Sequence, residues 1–317
     1  MWFIHIFAVV MTALPASAIL WQILPAEKNR AAWMLKTLAL SSFQLFCHSA
    51  MLWAFVSVYA RHTLLIAYAL AVVCSGVRVR KKPFLSRIGI AGWIQVCLLV
   101  SLACLVLPLL AKVSDSGTVP SIEPVHLAFP FRHGTFYIAN GGNSIYGNLH
   151  LGAKNNAVVP QYRGQSWALD ILKLTPAGNR SHVLFPSSLD EFCIFGEPLY
   201  APCDGEIIAV ENLLADQVPP TADSVRVTGN HILLKRDESC FIVMAHLQRG
   251  SVRVQPGQKV HAGDLLALVG NSGNTSEPHL HINAQYSCGN ETVLDADPRP
   301  ILFDGRWLIR NSVVRVP

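Results

Sequence analysis

Residues Gly270 to His281 read Gly-Asn-Ser-Gly-Asn-Thr-Ser-Glu-Pro-His-Leu-His, and the chain runs on as Ile282-Asn283-Ala284-Gln285. Glycine and asparagine crowd the first half, the composition of a turn, and apolar and polar residues alternate in the second, the pattern of a strand. In a strand, positions i and i+2 face the same way. His279 and His281 are therefore expected side by side on one sheet face, where two imidazoles can share one metal ion. The same pair alone would equally describe two surface histidines, so its weight depends on what surrounds it.

Upstream stands Met244-Ala245-His246-Leu247, which ends an apolar run, followed by Val252 to Thr275 (VRVQPGQKVHAGDLLALVGNSGNT), a hairpin-rich stretch with glycine at its turns. Further upstream, Trp167-Ala168-Leu169-Asp170-Ile171 sets a carboxylate inside an apolar strand. An unpaired charge buried there is costly, and metal ligation is the economical compensation. Short β-type runs dominate this half of the chain (GEIIAVENL, NHILLKR, CFIVMAHL, LLALVG, LHINAQ), with no amphipathic helix of convincing length to compete. The expected fold is all-β and antiparallel.

Taken in order, the blocks are Asp170 on its strand, Gly196 to Ile207 (GEPLYAPCDGEI), Gly229 to Leu234 (GNHILL), Ala245 to Leu247 (AHL) and Gly270 to His281. This order resembles the lysostaphin-type zinc endopeptidases over about Gly164 to Tyr286. The resemblance implies the β-domain fold of those peptidases, with Asp170 and His281 as Zn2+ ligands and His246 and His279 as catalytic histidines beside the open coordination position. It also implies hydrolysis of peptide bonds in cell-wall peptidoglycan, with a metal-activated water as nucleophile and one of the two histidines taking its proton. No H-E-x-x-H helix is present to supply a glutamate base instead.

One position departs from the family pattern. The usual first ligand is a histidine four residues before the aspartate, and here that residue is Ser166, in Gly164-Gln165-Ser166-Trp167-Ala168-Leu169-Asp170. A serine hydroxyl ligates zinc poorly, and a catalytic zinc site ordinarily has three protein ligands. His150, His182, His133 and His126 are candidates for the third. His150, in Tyr146-Gly147-Asn148-Leu149-His150, is nominated because the resemblance to relatives with a similar Q-x-x-A-x-D core implies an upstream Asn-x-His or Asn-His; His182 is second. His231 and His261 read as surface strand residues. Ser166 also supports a rival, a metal-free and non-catalytic scaffold or activator of cell-wall hydrolases, against which stands the retention of Asp170, His246, His279 and His281 together. A lipoyl-like carrier would need a lysine at an exposed hairpin tip, whereas Lys259 lies just before His261 and the carrier leaves Pro278-His279-Leu280-His281 unexplained.

The first third of the chain differs. Of 317 residues 51% are hydrophobic and 14% charged, too apolar for an ordinary soluble protein. The excess is N-terminal: residues 37–60 and 88–111 hold no Asp, Glu, Lys or Arg, and each is long enough to span a bilayer. Residues 1–24 and 62–77 read as two further spans, giving a helical region over 1–112 with three or four crossings. The alternative for the N-terminus, a cleaved leader ending at Ala16-Ser17-Ala18, lacks a basic segment ahead of its apolar run. His5 and His48 fall inside spans and read as neutral, helix-facing residues.

Lys28 and Arg30 crowd one connection and Arg78, Arg80, Lys81, Lys82 and Arg87 another, against Arg61 alone between them. By the positive-inside rule the crowded loops are cytoplasmic. The remaining domain is then extracytoplasmic, tethered to the cytoplasmic membrane within reach of the cell wall. The overall charge of +5 comes from these flanking cations, which form no stripe with interleaved aromatics and so exclude nucleic-acid binding. Residues 113–130 turn to Ser, Asp, Pro and Thr and are expected to be a linker, with the β-domain over 131–317. Cys47, Cys74, Cys97 and Cys104 lie in spans as small apolar residues, while Cys193, Cys203, Cys240 and Cys288 lie in an exported domain where any of three pairings is possible.

Overall fold

The computed structural model describes residues 2–24, 27–154, 156, 160–287 and 293–317. It divides into two units, one ending at Ser114 and one running from Asp115 to Pro317.

Four helices build the first unit: α1 (Trp2–Ile23), α2 (Arg30–Ala50), α3 (Val58–Val79) and α4 (Ile90–Ser114). Asn29 caps α2 by accepting from the Ala32 N–H at 2.8 Å, and Ser57 caps α3 by accepting from the Tyr59 N–H at 3.2 Å. Among the described residues two helical stretches, Val58–Val79 and Ile90–Gly117, are long and apolar enough to cross a membrane, where three or four were expected. The difference has identifiable causes. The described apolar part of α1, Val9–Ile23, is shorter, and α2 contains Lys36. The uncharged run 37–60 is not one helix, because α2 stops at Ala50, Met51 turns extended, and a 3-10 turn (Trp53–Phe55) precedes the Ser57 cap. Lys36 is fully buried and pairs with Glu27 at 2.8 Å. The His5 side chain lies outside the described residues; His48 sits at the end of α2 with its ring 5.4 Å from that of His62.

The second unit contains fourteen strands among its described residues. They are β1 (Val125–Leu127), β2 (Gly134–Asn140), β3 (Leu169–Leu174), β4 (Pro198–Tyr200), β5 (Gly205–Glu211), β6 (Asn230–Lys235) and β7 (Cys240–Leu247), then β8 (Lys259–Val260), β9 (Leu265–Leu268), β10 (Leu280–Tyr286), β11 (Asp297–Arg299), β12 (Ile301–Phe303), β13 (Arg306–Trp307) and β14 (Val313–Val316). Nine of them form one antiparallel sheet in the order β14-β2-β3-β10-β7-β6-β5-β8, with β11 on β10. Part of the expected linker belongs to this unit. Val125, Leu127, Phe129 and Phe131 alternate with less apolar neighbours; β1 pairs in parallel with β12, and Phe131 stacks on Phe136 with ring centres 4.4 Å apart.

The core lies on one face of the central strands. Leu169 and Ile171 of β3, Ile242 and Met244 of β7, and Leu280, Ile282 and Ala284 of β10 all join it. Strand alternation sends the intervening residues to the opposite face, where Asn283 donates to the Gly164 carbonyl at 3.1 Å and Gln285 to the Val293 carbonyl at 2.8 Å. Gly164 is required at that approach: a Cβ there would collide with the Gln285 side chain and the Leu294 carbonyl. That second face carries the site. Cys193, Cys203 and Cys240 are free thiols, and Cys288 lies outside the described residues.

Candidate metal centre

The sheet register brings the key residues into one row. Asn140 on β2 pairs with Asp170 on β3, Asp170 with His281 on β10, and His281 with Ala245 on β7. Directly opposed residues of antiparallel strands hold their Cβ atoms about 5 Å apart, so the pairing of β3 with β10 suffices to bring carboxylate and imidazole together. His281 Nδ1 lies 3.1 Å from Asp170 Oδ1.

His150 reaches the same carboxylate from outside the sheet. It sits in a 3-10 turn (Leu149–Ala153) whose N-cap, Asn148, accepts from the His150 N–H at 3.2 Å and donates to the Ala168 carbonyl at 3.0 Å. This ties the loop to the start of β3. His150 Nε2 is 3.0 Å from both carboxylate oxygens of Asp170. One donor atom each from His150, Asp170 and His281 lie within 4.8 Å of one another, close enough for a single metal ion. Two imidazoles and a carboxylate, with the carboxylate and His281 buried, form a donor set that fits zinc.

A second layer holds the carboxylate. Asn140 donates to Asp170 Oδ2 at 2.7 Å, and its own Oδ1 accepts from Arg310 Nη2 at 2.7 Å and from the Leu149 N–H at 3.4 Å. Asn140 thus links the Asp170 carboxylate to the loop that carries His150.

His279 and His246 flank this set, with ring centres 4.8 Å apart. His279 Nδ1 lies 2.9 Å from the Glu277 carbonyl and His246 Nδ1 lies 2.9 Å from the Ser272 carbonyl. A carbonyl only accepts, so each ring donates from Nδ1 and leaves Nε2 as its reactive nitrogen. For His279 that nitrogen is 3.5 Å from Asp170 Oδ1. The Glu277 side chain is anchored by the buried Arg180, Nε to Oε2 at 2.7 Å.

His246 takes an unusual route to this face. Residues Ala245 and His246 of β7 together oppose His231 of β6, a bulge, and His246 has φ +63°. Simple alternation would send His246 into the core beside Met244; the extra residue re-aims it toward His279 while Leu247 returns to the core. Strain in a left-handed non-glycine residue concentrates at functional sites.

The charges are strongly coupled. Burial pushes the Asp170 carboxyl up, but the His150 and His279 rings outweigh it and hold it well below the usual carboxylate range. Burial drives His246 well below the ordinary imidazole value, helped by His279 and His281, so this ring is neutral. Burial also lowers His281, against its hydrogen bond to Asp170. His279 is opposed by burial too, yet the Asp170 carboxylate raises it on balance.

A cavity of about 330 Å3 opens over the cluster, and Tyr162, Gln165 and Thr228 line it with the histidines. Gln165 is the first residue of the Q-x-x-A-x-D core, while Tyr162 and Thr228 were not singled out in the sequence and are marked only by adjacency to recognised blocks. Ser166 is fully buried and donates to the Arg163 carbonyl at 2.6 Å, so the position of the usual first ligand is spent on the backbone. His182 and His133 are exposed, near Cys193 and the Pro317 carbonyl respectively, and His126 is exposed on β1. His231 donates to the Gly229 carbonyl at 2.8 Å, and His261 lies 3.9 Å from Asp264.

Part of the β-rich unit is similar to known proteins. Residues 187–295 match the model of peptidase family M23, a span that contains His246, His279 and His281 but begins after His150 and Asp170. Over 92 residues the chain is 33% identical to the cell division protein DipM of Caulobacter vibrioides, covering 29% of this chain and 13% of that protein. Over 155 residues it is 26% identical to the peptidoglycan DD-endopeptidase ShyA of Vibrio cholerae, covering 49% of this chain and 31% of that one. The chain therefore spans well under half the length of either relative. Among solved structures it overlaps a zinc containing peptidase from Vibrio cholerae with TM-score 0.31 and 18% identity, covering 56% of this chain and 41% of that one.

Proposed function

We propose that the β-domain is a zinc-dependent endopeptidase acting on peptide bonds of peptidoglycan, with His150, Asp170 and His281 holding the metal and His246 and His279 as its catalytic histidines. The single observation that carries the reading is the convergence of His150 and His281 on the two oxygens of one buried carboxylate. The family match over residues 187–295 and the likeness to a peptidoglycan DD-endopeptidase support the reaction class and substrate.

A zinc ion in this donor set supplies Lewis acidity toward a scissile carbonyl and lowers the pKa of a water toward about 7. The chain's own groups do the rest. Asp170 brings the negative charge that favours a dication and fixes the orientation of two imidazoles. His246, neutral at Nε2 and locked through Nδ1, is suited to accept a proton from the attacking water. His279, held through Nδ1 by the Glu277 carbonyl with Nε2 facing Asp170, is suited to donate a hydrogen bond to the developing oxyanion or to pass a proton to the leaving amine.

A metal-free scaffold or activator is the competing reading, and Ser166 is the residue that favours it. His150 answers that argument, since it restores the donor count to three by a different route. Metal analysis of the purified chain separates the two. About one zinc per chain, lost in His281→Ala together with peptide hydrolysis, is the expected result; His246→Ala keeps the zinc and loses turnover by a factor of roughly 10² or more. A folded, metal-free wild-type chain would end the enzyme reading.

The same reading assigns the helical unit to the cytoplasmic membrane, with the β-domain on the outer side. The two apolar helical stretches and the cationic connections support it.

A further inference from the structure

The cleft does not stop at the histidines. Tyr162, Val227, Thr228 and Leu294 line the cavity over the candidate metal centre and also a second cavity of about 300 Å3, so the two adjoin. The second cavity has apolar walls, including Leu214, Val225 and Val293, and Glu211, Arg226 and His231 line it as well. The proposed chemistry uses none of these three.

Glu211 closes β5 and faces His231 across the strand pair. Its Oε1 accepts from the N–H groups of Asn212 at 2.9 Å and Leu213 at 3.1 Å, while Oε2 makes no hydrogen bond among the described residues. Those backbone bonds, with His231 and Arg226 nearby, hold the carboxyl below the usual range, so it is ionised. Arg226 donates from Nε to Asp223 at 2.9 Å, and His231 donates from Nδ1 to the Gly229 carbonyl. Arg226 is thus paired with Asp223, and the Glu211 carboxylate keeps in Oε2 an oxygen with no partner among the described residues. An aliphatic lining that includes a half-used carboxylate suits a side chain made of methylenes tipped by an ammonium group.

Resting on the endopeptidase reading, we propose that this second cavity is a substrate subsite and that Glu211 is its specificity-determining residue, binding a primary ammonium on a peptide residue near the scissile bond. The test uses the full chain in detergent and peptides that carry either lysine or Nε-acetyl-lysine at each position around the cleaved bond. Binding is measured by calorimetry on the His246→Ala protein, so that it does not depend on turnover. Acetylation at one position is expected to weaken binding about tenfold, the scale of one charge-assisted hydrogen bond. Glu211→Gln, which keeps an oxygen for the Asn212 and Leu213 N–H groups, is expected to erase that difference.

Equal binding of the two peptides at every position overturns the subsite without needing any Glu211 variant. So does a preference that survives Glu211→Gln, or failure of both peptides to bind. Hydrolysis by the wild-type chain with no Glu211-dependent preference removes the subsite alone. A Glu211-dependent preference in a chain that hydrolyses neither peptide removes the endopeptidase reading and leaves the subsite standing.

Discussion

Asn140 shows how much of a metal centre lies outside its ligands. Its amide donates to Asp170 Oδ2 and its carbonyl oxygen accepts from Arg310 and from the N–H beside His150, so one side chain orients the carboxylate and tethers the loop that carries His150. Partners of this kind typically contribute 10- to 100-fold to metal affinity. Asn140→Ala is accordingly expected to weaken zinc binding by about that range in a competitive chelator titration, with the sheet intact by circular dichroism; unchanged affinity would mean that Asp170 holds its orientation without Asn140. Asp170 and His281 were legible because a carboxylate inside an apolar strand and two histidines at spacing two each carry a local physical signal. For His150 the sequence offered only the need for a third donor once Ser166 stood at the usual position, and a resemblance to relatives to choose it over His182, His133 and His126. Asn140 and Arg310 left no mark at all, since neither their neighbours in the chain nor their spacing says that they meet Asp170 across the sheet.

At the scale of elements, strand alternation accounts for His281 and Asp170 but fails at His246. Pattern reading locates this residue at the end of β7 and is blind to the bulge that turns it to the site face. The left-handed backbone at His246 costs an ordinary residue roughly 1–2 kcal/mol and glycine almost nothing. His246→Gly is thus expected to be more stable than His246→Ala by about 1 kcal/mol in urea denaturation, although both lose the imidazole. An alanine variant as stable as the glycine one would show that the bulge relaxes once the ring is gone and that the ring's bond to the Ser272 carbonyl creates the strain. Two other elements were misjudged for related reasons. Serine and proline around residues 113–130 masked the period-2 pattern of Val125, Leu127, Phe129 and Phe131, which is the signature of buried extended chain. Likewise, absence of charge over residues 37–60 says nothing about continuity, and the backbone turns at Met51 before Ser57 starts a new helix.

For the whole molecule, composition separated an apolar, cationic first third from a near-neutral remainder, and the division of the structure after Ser114 falls close to that compositional break. Composition suggested more spans than the two stretches that qualify among the described residues, because it weighs residues and not helices: α2 contains Lys36, whose ammonium is hidden against Glu27 and leaves the helix less apolar than its length suggests. The proposed orientation nevertheless depends only on the stretches that do qualify. If Val58–Val79 and Ile90–Gly117 cross the bilayer, the five cations between residues 78 and 87 lie on one side and the chain after Ser114 on the other. The positive-inside rule then assigns the cations to the cytoplasm. In intact spheroplasts, Lys81→Cys should resist a membrane-impermeant maleimide until the membrane is broken, while protease added outside degrades the β-domain at once. Labelling of Lys81→Cys in unbroken cells, with the β-domain protected, would reverse the orientation. Peptidoglycan would then be out of reach of His246 and His279, however well the centre binds zinc.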